Sequence, residues 1–219
     1  GGVLLEMAKL LGREDEETVA EIACEHEYLK KMVNEKLWDD KTSYYYDLWQ
    51  NDEFNYVKSI GAYWSLLAEV VPKDKIDKFV AHLENEKEFN RPHRVPTVSA
   101  DDPHYNEYGG YWNGAVWAPT NYMVLKGLEK NGYYKLAYDI GLNHLENVTK
   151  VFEKTGTVWE NYSPEHIREG NPAKADFVGW TGLVPIAVLF EYVLGIRGDA
   201  PNGRIFWNIN RTERHGILK

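Results

Sequence analysis

Cysteine is all but missing, since Cys24 stands alone in 219 residues. No internal disulfide framework and no cysteine-based metal spacing can form. A reducing compartment fits this usage, and the cytoplasm is the expected location. Long apolar runs are missing too. No stretch approaches the roughly 18 consecutive apolar residues of a spanning helix, and the amino terminus lacks the basic-then-apolar order of a secretory signal. No membrane partner is expected. Positive charge is also in deficit. The formal net charge of −9 is spread along the chain and argues against binding a phosphate backbone, so nucleic acid is not an expected partner. There is no phosphate-cradling glycine loop before a helix, no Gly-x-Ser-x-Gly elbow and no cysteine matched to a histidine. His26, His82, His104, His144, His166 and His215 show no pair four apart on one helix with a nearby glutamate, so no metal is assigned.

Aromatic residues are what the chain has in excess. They make up 14% of it, with 8 Trp, more than core packing usually requires. A partner that is flat and partly apolar fits this excess. A sugar ring qualifies, because its axial C–H face packs on indole while its hydroxyls bond to carboxylates and amides.

Apolar periodicity gives seven helices. Val3 to Leu11 reads as the first, and because the chain opens on Gly1 inside such a pattern, further sequence is expected upstream. Val19, Ile22, His26, Leu29 and Val33 mark the second. A third is expected over about Tyr56–Val70, stopping before Pro72, and a fourth over about Lys73–Asn85. The fifth begins near Gly114, with Trp117, Asn121, Val124 and Leu128 on one stripe, and ends at Asn131-Gly132. The sixth runs over about Tyr133–Lys154. The seventh, over about Phe177–Leu194, is apolar almost all round, as an element buried on several sides would be. Beyond it, Arg204 to Asn210 alternates like a half-buried strand that needs a partner.

The connections alternate in length. Those inside each helical hairpin are a few residues long, whereas Leu37–Asn55, Glu86–Asn113 and Thr155–Asp176 run to about 20 residues or more, a length that in compact domains usually serves function. In an array of antiparallel hairpins the long loops share one face. Trp38, Trp49, Trp112, Trp117, Trp159 and Trp180 lie in those loops or at their junctions. The expected fold is therefore all-α, a partial α/α toroid of about seven helices in residues 1–200, with a short β tail in residues 201–219. An open helical solenoid is the alternative, against which no repeat of fixed period is seen.

Chemistry concentrates in these loops. Thr155-Gly-Thr-Val-Trp-Glu-Asn-Tyr162 sets the carboxylate of Glu160 between Trp159 and Tyr162, an arrangement suited to the base of a glycosidase and equally readable as a solvated loop glutamate. Gly110-Tyr-Trp-Asn-Gly-Ala-Val-Trp-Ala-Pro119 places Tyr111, Trp112, Asn113, Gly114 and Trp117 at a helix start, where two indoles could floor a sugar subsite; Trp117 also reads as core. Arg94 could fork onto sugar hydroxyls or join an ordinary loop ion pair. For Asp39 and Asp40, turn chemistry in the aromatic hairpin Trp38–Asp47 is favoured over catalysis.

These segments resemble those of trehalase and its relatives in glycoside hydrolase families 37 and 63. Tyr111-Trp-Asn-Gly-Ala-Val-Trp-Ala-Pro119 is similar to the family segment ending in Trp-Ala-Pro, Thr155 to Tyr162 to the segment holding the catalytic base, and Asp176-Phe-Val-Gly-Trp-Thr-Gly182 to the Gly-Trp-Thr stretch, which brings in Trp180. The resemblance covers about Leu37 to Ile196. It implies an (α/α)6 barrel, hydrolysis of an α-glycosidic bond with inversion, no cofactor, and Glu160 as base. The mannosylglycerate and glucosylglycerate hydrolases and the family 63 glucosidases fit better than trehalase, which has Gln-Trp-Asp where this chain has Tyr111-Trp112-Asn113. The family's general acid is an aspartate in a Trp-Asp context well before Trp-Ala-Pro; here Asp39 and Asp40 follow Trp38 but sit in the aromatic hairpin instead. The acid is expected upstream of Gly1, which makes the missing amino-terminal part of the same protein an expected partner beside the carbohydrate. A non-catalytic carbohydrate-binding fragment, and another sugar chemistry such as phosphorolysis or epimerisation, remain alternatives.

Overall fold

A computed structural model describes residues 1–210 of the chain, so the last part of the expected β tail, 211–219, lies outside the described residues. Among the described residues seven α-helices dominate: α1 (Gly2–Leu10), α2 (Glu17–Lys36), α3 (Trp64–Leu67), α4 (Lys73–Ala81), α5 (Ala118–Lys130), α6 (Tyr134–Thr155) and α7 (Trp180–Val188). Three short antiparallel ribbons join them: β1 (Trp38–Asp39) with β2 (Tyr44–Tyr45), β3 (Asp47–Leu48) with β4 (Phe54–Asn55), and β5 (Ile196–Asp199) with β6 (Arg204–Trp207). None of the helices among the described residues is long and apolar enough to cross a membrane.

The core forms where α5 and α6 meet the aromatic ribbon. Leu125, Leu128 and Ile140 are fully buried there with Tyr44, Tyr63, Leu66, Phe79 and Phe89. Tyr44, Tyr45 and Tyr46 are all buried. Tyr44 and Tyr45 pack on Phe79, and Tyr46 on Phe54 and Tyr56. Asp39 accepts from the Thr42 hydroxyl at 2.8 Å and Asp40 from the Trp38 indole at 2.6 Å, which is turn chemistry.

Helix boundaries depart from expectation where loops pair with each other. The third helix shrinks to a 3-10 turn (Ile60–Tyr63) and the single turn of α3. Ser59 bridges Val98, with Ile60 N–H donating to Thr97 O at 2.8 Å and Ser99 N–H to Lys58 O at 3.0 Å, so the preceding residues are held extended. The fifth helix starts at Ala118 rather than near Gly114, because Val116 and Tyr162 exchange backbone hydrogen bonds at 2.8 and 2.9 Å. Pro119 then suits the first turn, where no N–H partner is needed. The fourth and sixth helices agree with expectation within a few residues, the fourth ending in a 3-10 turn at His82–Glu84.

Pro185 lies inside the seventh helix, which passes at its end into a π-turn over Leu189–Val193. A proline supplies no N–H to the preceding turn, which loosens the ladder there. This helix is not buried on several sides: Leu183, Ile186 and Phe190 are half or more exposed. The strand partner lies within the chain, since β6 pairs β5 from Ile196↔Trp207 to Asp199↔Arg204. The expected half-burial is absent, because Ile205, Phe206 and Trp207 are all exposed. The expected domain boundary between residues 200 and 201 falls in the turn of this ribbon.

Candidate active site

Three segments converge on Glu160. The loop 108–117 meets the loop 156–163 through the Val116–Tyr162 bridge, Gly109 bridges Asn171 in parallel, and Trp159 bridges Ala175. These contacts place two of the long loops side by side and bring the start of α7 against them.

Glu160 is fixed at both ends. Its N–H donates to Lys174 O at 2.9 Å, and its carbonyl accepts from the Trp180 indole N–H at 2.9 Å. One carboxylate oxygen, Oε1, accepts from the Tyr111 hydroxyl at 3.4 Å. Desolvation raises the Tyr111 phenol above its ordinary range, and the Glu160 carboxylate adds to the rise. That direction is expected of an acid whose ionised form would face a like charge.

An aromatic cluster lies against this carboxylate. Trp112 and Trp117 stack with ring centres 4.5 Å apart and planes 4° from parallel. Tyr111 stands edge-on to Trp117 at 4.8 Å, and the Trp117 indole donates to Tyr111 O at 3.2 Å. Trp117 also touches Trp180 at 5.8 Å, and Phe177 packs on Trp180 at 4.5 Å. Within this set Trp117 is buried at 2% exposure, whereas Trp112 is 53% exposed. The stack therefore presents Trp112 to solvent on a rigid backing.

The remaining sequence candidates sort by position. Trp159 joins the site through its main chain, with its carbonyl accepting from the Thr181 hydroxyl at 2.7 Å. Tyr162 turns inward instead: at 1% exposure it packs with Val116, Val148 and Val151, and its hydroxyl accepts from Trp159 N–H at 3.1 Å. Gly114 has φ +139, and a Cβ there would meet Asn106 O at 2.9 Å, so glycine serves a close approach of this chain to itself. Asn113 holds that turn through its backbone, donating to Gly110 O at 3.1 Å and accepting from Asn106 at 2.8 Å, with its side chain exposed. Arg94 is not brought to the cluster. Its guanidinium donates to Leu83 O at 2.8 Å, with Asp139 and Glu84 as its nearest acidic influences.

Sequence reasoning passed over three contributors. Thr97 accepts from Gly114 N–H at 3.0 Å and donates to Trp112 O at 2.9 Å, fixing the Trp112 turn. Thr181, in the Gly-Trp-Thr stretch, donates its hydroxyl to Trp159 O. Asn161, fully buried beside the base, donates to Pro172 O at 3.2 Å. A polar residue next to a loop carboxylate was the available signal, and it is a weak one.

Comparison with known proteins gives a consistent result. The family described as mannosylglycerate hydrolase MGH1-like glycoside hydrolase domain matches residues 2–181. An uncharacterised protein of Borreliella burgdorferi is 30% identical over 203 residues, covering 86% of this chain and 42% of that protein. The mannosyl-oligosaccharide glucosidase of Saccharomyces cerevisiae is 27% identical over 169 residues, 67% of this chain and 20% of that one. A crystal structure of the GH63 mannosylglycerate hydrolase of Thermus thermophilus with Tris and D-glycerate superposes with a TM-score of 0.64 at 25% identity, covering 84% of this chain and 41% of that one. The chain thus spans less than half the length of each of these relatives.

Proposed function

The chain belongs to the mannosylglycerate hydrolase MGH1-like glycoside hydrolase family, and from that premise we propose that it carries the catalytic base of an inverting α-glycosidase, with Glu160 in that role. The observation that carries the reading is the anchoring of Glu160, whose N–H, carbonyl and Oε1 are each bonded while Oε2 has no partner among the described residues. In the proposed reaction Oε2 takes a proton from water as the water oxygen bonds to the anomeric carbon. The bond to the leaving oxygen breaks on the opposite side, where a carboxylic acid about 6.5 to 9.5 Å away supplies a proton. Trp112 offers the exposed ring on which a sugar face would pack.

The substrate class that fits is an α-glucoside or α-mannoside, of oligosaccharide or glycosyl-glycerate type, matching what the relatives' names describe. We place the general acid outside these 219 residues, in the further length that the relatives possess. The same length would close the toroid. Two apolar edges await cover: one on α1, where Val3, Leu4, Met7 and Leu10 are more than half exposed, and one along α7 and the π-turn after it, at Leu183, Ile186 and Phe190. Apolar stripes of this extent normally pack against another layer.

The test is Glu160→Gln in the active protein that contains this sequence. Turnover should fall by about 10²- to 10⁴-fold, and proton NMR of the wild-type reaction should show the inverted anomer first. Wild-type turnover in the variant, or retained configuration, would sink the assignment. A second reading, a carbohydrate-binding fragment without turnover, follows from placing the general acid outside these 219 residues. Titrating the chain alone with α-glucosides and α-mannosides separates the two, since turnover by the isolated chain would rule out the second.

A further inference from the structure

Tyr111 occupies an unusual place on the backbone. Its φ is +60, in the left-handed region, and it follows Gly109 at +112 and Gly110 at +53. A side chain with a Cβ is strained there, and such strain persists only where surrounding contacts over-determine the conformation. Those contacts are present. The Trp117 indole holds the Tyr111 carbonyl at 3.2 Å, and the ring stands perpendicular to Trp117 at 4.8 Å and to Trp112 at 5.9 Å. The product of this arrangement is one polar contact, from the phenol hydroxyl to Glu160 Oε1.

We propose that Tyr111 is a positioning residue for Glu160, its hydroxyl binding Oε1 and so leaving Oε2 turned to the attacking water. The proposal rests on the reading of Glu160 as base and gives Tyr111 a task other than sugar binding. Trp117 is part of the same device. Buried, it bonds the Tyr111 carbonyl and touches Trp180, whose indole holds the Glu160 carbonyl, so one indole ties the two ends of the base together. The ring left for a sugar is Trp112.

The contact and its catalytic use are tested separately. Tyrosines labelled with carbon-13 at Cζ are titrated by NMR in the chain itself, with the Tyr111 signal assigned through Tyr111→Phe. Glu160→Gln removes the charge that helps hold the phenol's pKa up, so the Tyr111 midpoint moves to lower pH. An unmoved midpoint overturns the contact whether or not the chain is active. In the active protein, Tyr111→Phe lowers kcat by about tenfold or more with KM within about twofold, since it removes a bond to an ionised group and spares the sugar platform. A raised KM at unchanged kcat overturns the proposal in favour of sugar binding. Full activity of Glu160→Gln would instead remove the premise, leaving the NMR result standing.

Discussion

The Trp180 indole donates to the main-chain carbonyl of Glu160 at 2.9 Å, and the next residue, Thr181, donates its hydroxyl to the carbonyl of Trp159 at 2.7 Å. The first turn of α7 therefore grips two successive carbonyls of the loop that presents the carboxylate. Trp180→Phe keeps a ring against Trp117 and Phe177 and deletes only the donor. We expect about 1 kcal/mol of lost stability and, in the active protein, a kcat about tenfold lower with little change in KM, because a loosened base misses its attack geometry. Thermal unfolding and steady-state kinetics check both effects, and an unchanged kcat would show that the grip is only structural.

Much of this arrangement was legible in the sequence, for identifiable reasons. Helices α5 and α6 have strong apolar periodicity, and Gly132 and Gly156 stand just past their ends at φ +84 and +75. The long loops and their junctions hold Trp38, Trp49, Trp112, Trp117, Trp159 and Trp180; Trp112, Trp117 and Trp180 do come together, whereas Trp38 packs on Tyr45 and Phe79 in the aromatic ribbon. What the pattern could not carry was pairing between distant loops. The Val116–Tyr162 and Ser59–Val98 bridges hold extended two stretches that read as helix starts, and nothing local announces a partner some 40 positions away. Tyr162 and Arg94 show the same limit at the scale of one side chain. Each has a polar tip and a large apolar body suited to either surface or interior, and the structure sends Tyr162 to Val116, Val148 and Val151 and Arg94 to the Leu83 carbonyl.

Gly170 offers a prediction on the support of the base loop. A Cβ at this position would lie 1.8 Å from Asn161 Oδ1. Asn161 cannot swing aside: it is fully buried, its amide donates to Pro172 O at 3.2 Å, and its carbonyl accepts from Gly170 N–H at 3.0 Å. Gly170→Ala should cost roughly 1–3 kcal/mol, the range for overpacking a filled interior, measured by urea unfolding of the chain. Stability within about 0.5 kcal/mol of wild type would mean that the loop has room to yield.

The buried pair His93–His144 predicts a pH dependence. Their rings meet at 3.0 Å between His93 Nε2 and His144 Nδ1, and His144 Nε2 has no partner among the described residues. Burial pushes His144 down to about 4, and burial with the neighbouring ring pushes His93 well below its ordinary value of 6.5. Both are therefore neutral in the folded chain near pH 7, while the unfolded chain binds their protons below about 6.5. Unfolded protons outnumber folded ones in that interval, so the pair's contribution is full above about pH 6.5 and declines as pH falls toward about 4, by about 1.4 kcal/mol per pH unit for each group at the steepest. Urea unfolding at a series of pH values should show the decline, and it should shrink in His144→Gln. A flat profile across the interval would contradict the neutral pair.

Glu88 governs the next, more acidic window on the same side. Its carboxylate is 5% exposed and binds Lys58 on one oxygen and His82 Nδ1 on the other at 2.6 Å, while Lys58 also reaches Asp101 at 2.7 Å. Burial alone would raise this carboxyl, but the bonds from His82 and Lys58 outweigh it and hold its pKa below the ordinary 4.5. Its contribution is thus present above about pH 4.5 and fades as pH falls further, a window below that of the histidines. Glu88→Gln keeps the shape and removes the charge that Lys58 and His82 face. Breaking a largely buried pair by neutralising one partner costs on the order of 3 kcal/mol, lessened here because Asp101 still holds Lys58. The variant should unfold at lower urea at pH 7 and lose part of the wild-type stability decline below pH 4.5. An unchanged acid limb would assign that decline to other carboxylates, of which Glu165, held below its ordinary range against burial by bonds from Arg91 and Tyr105, is the next to replace.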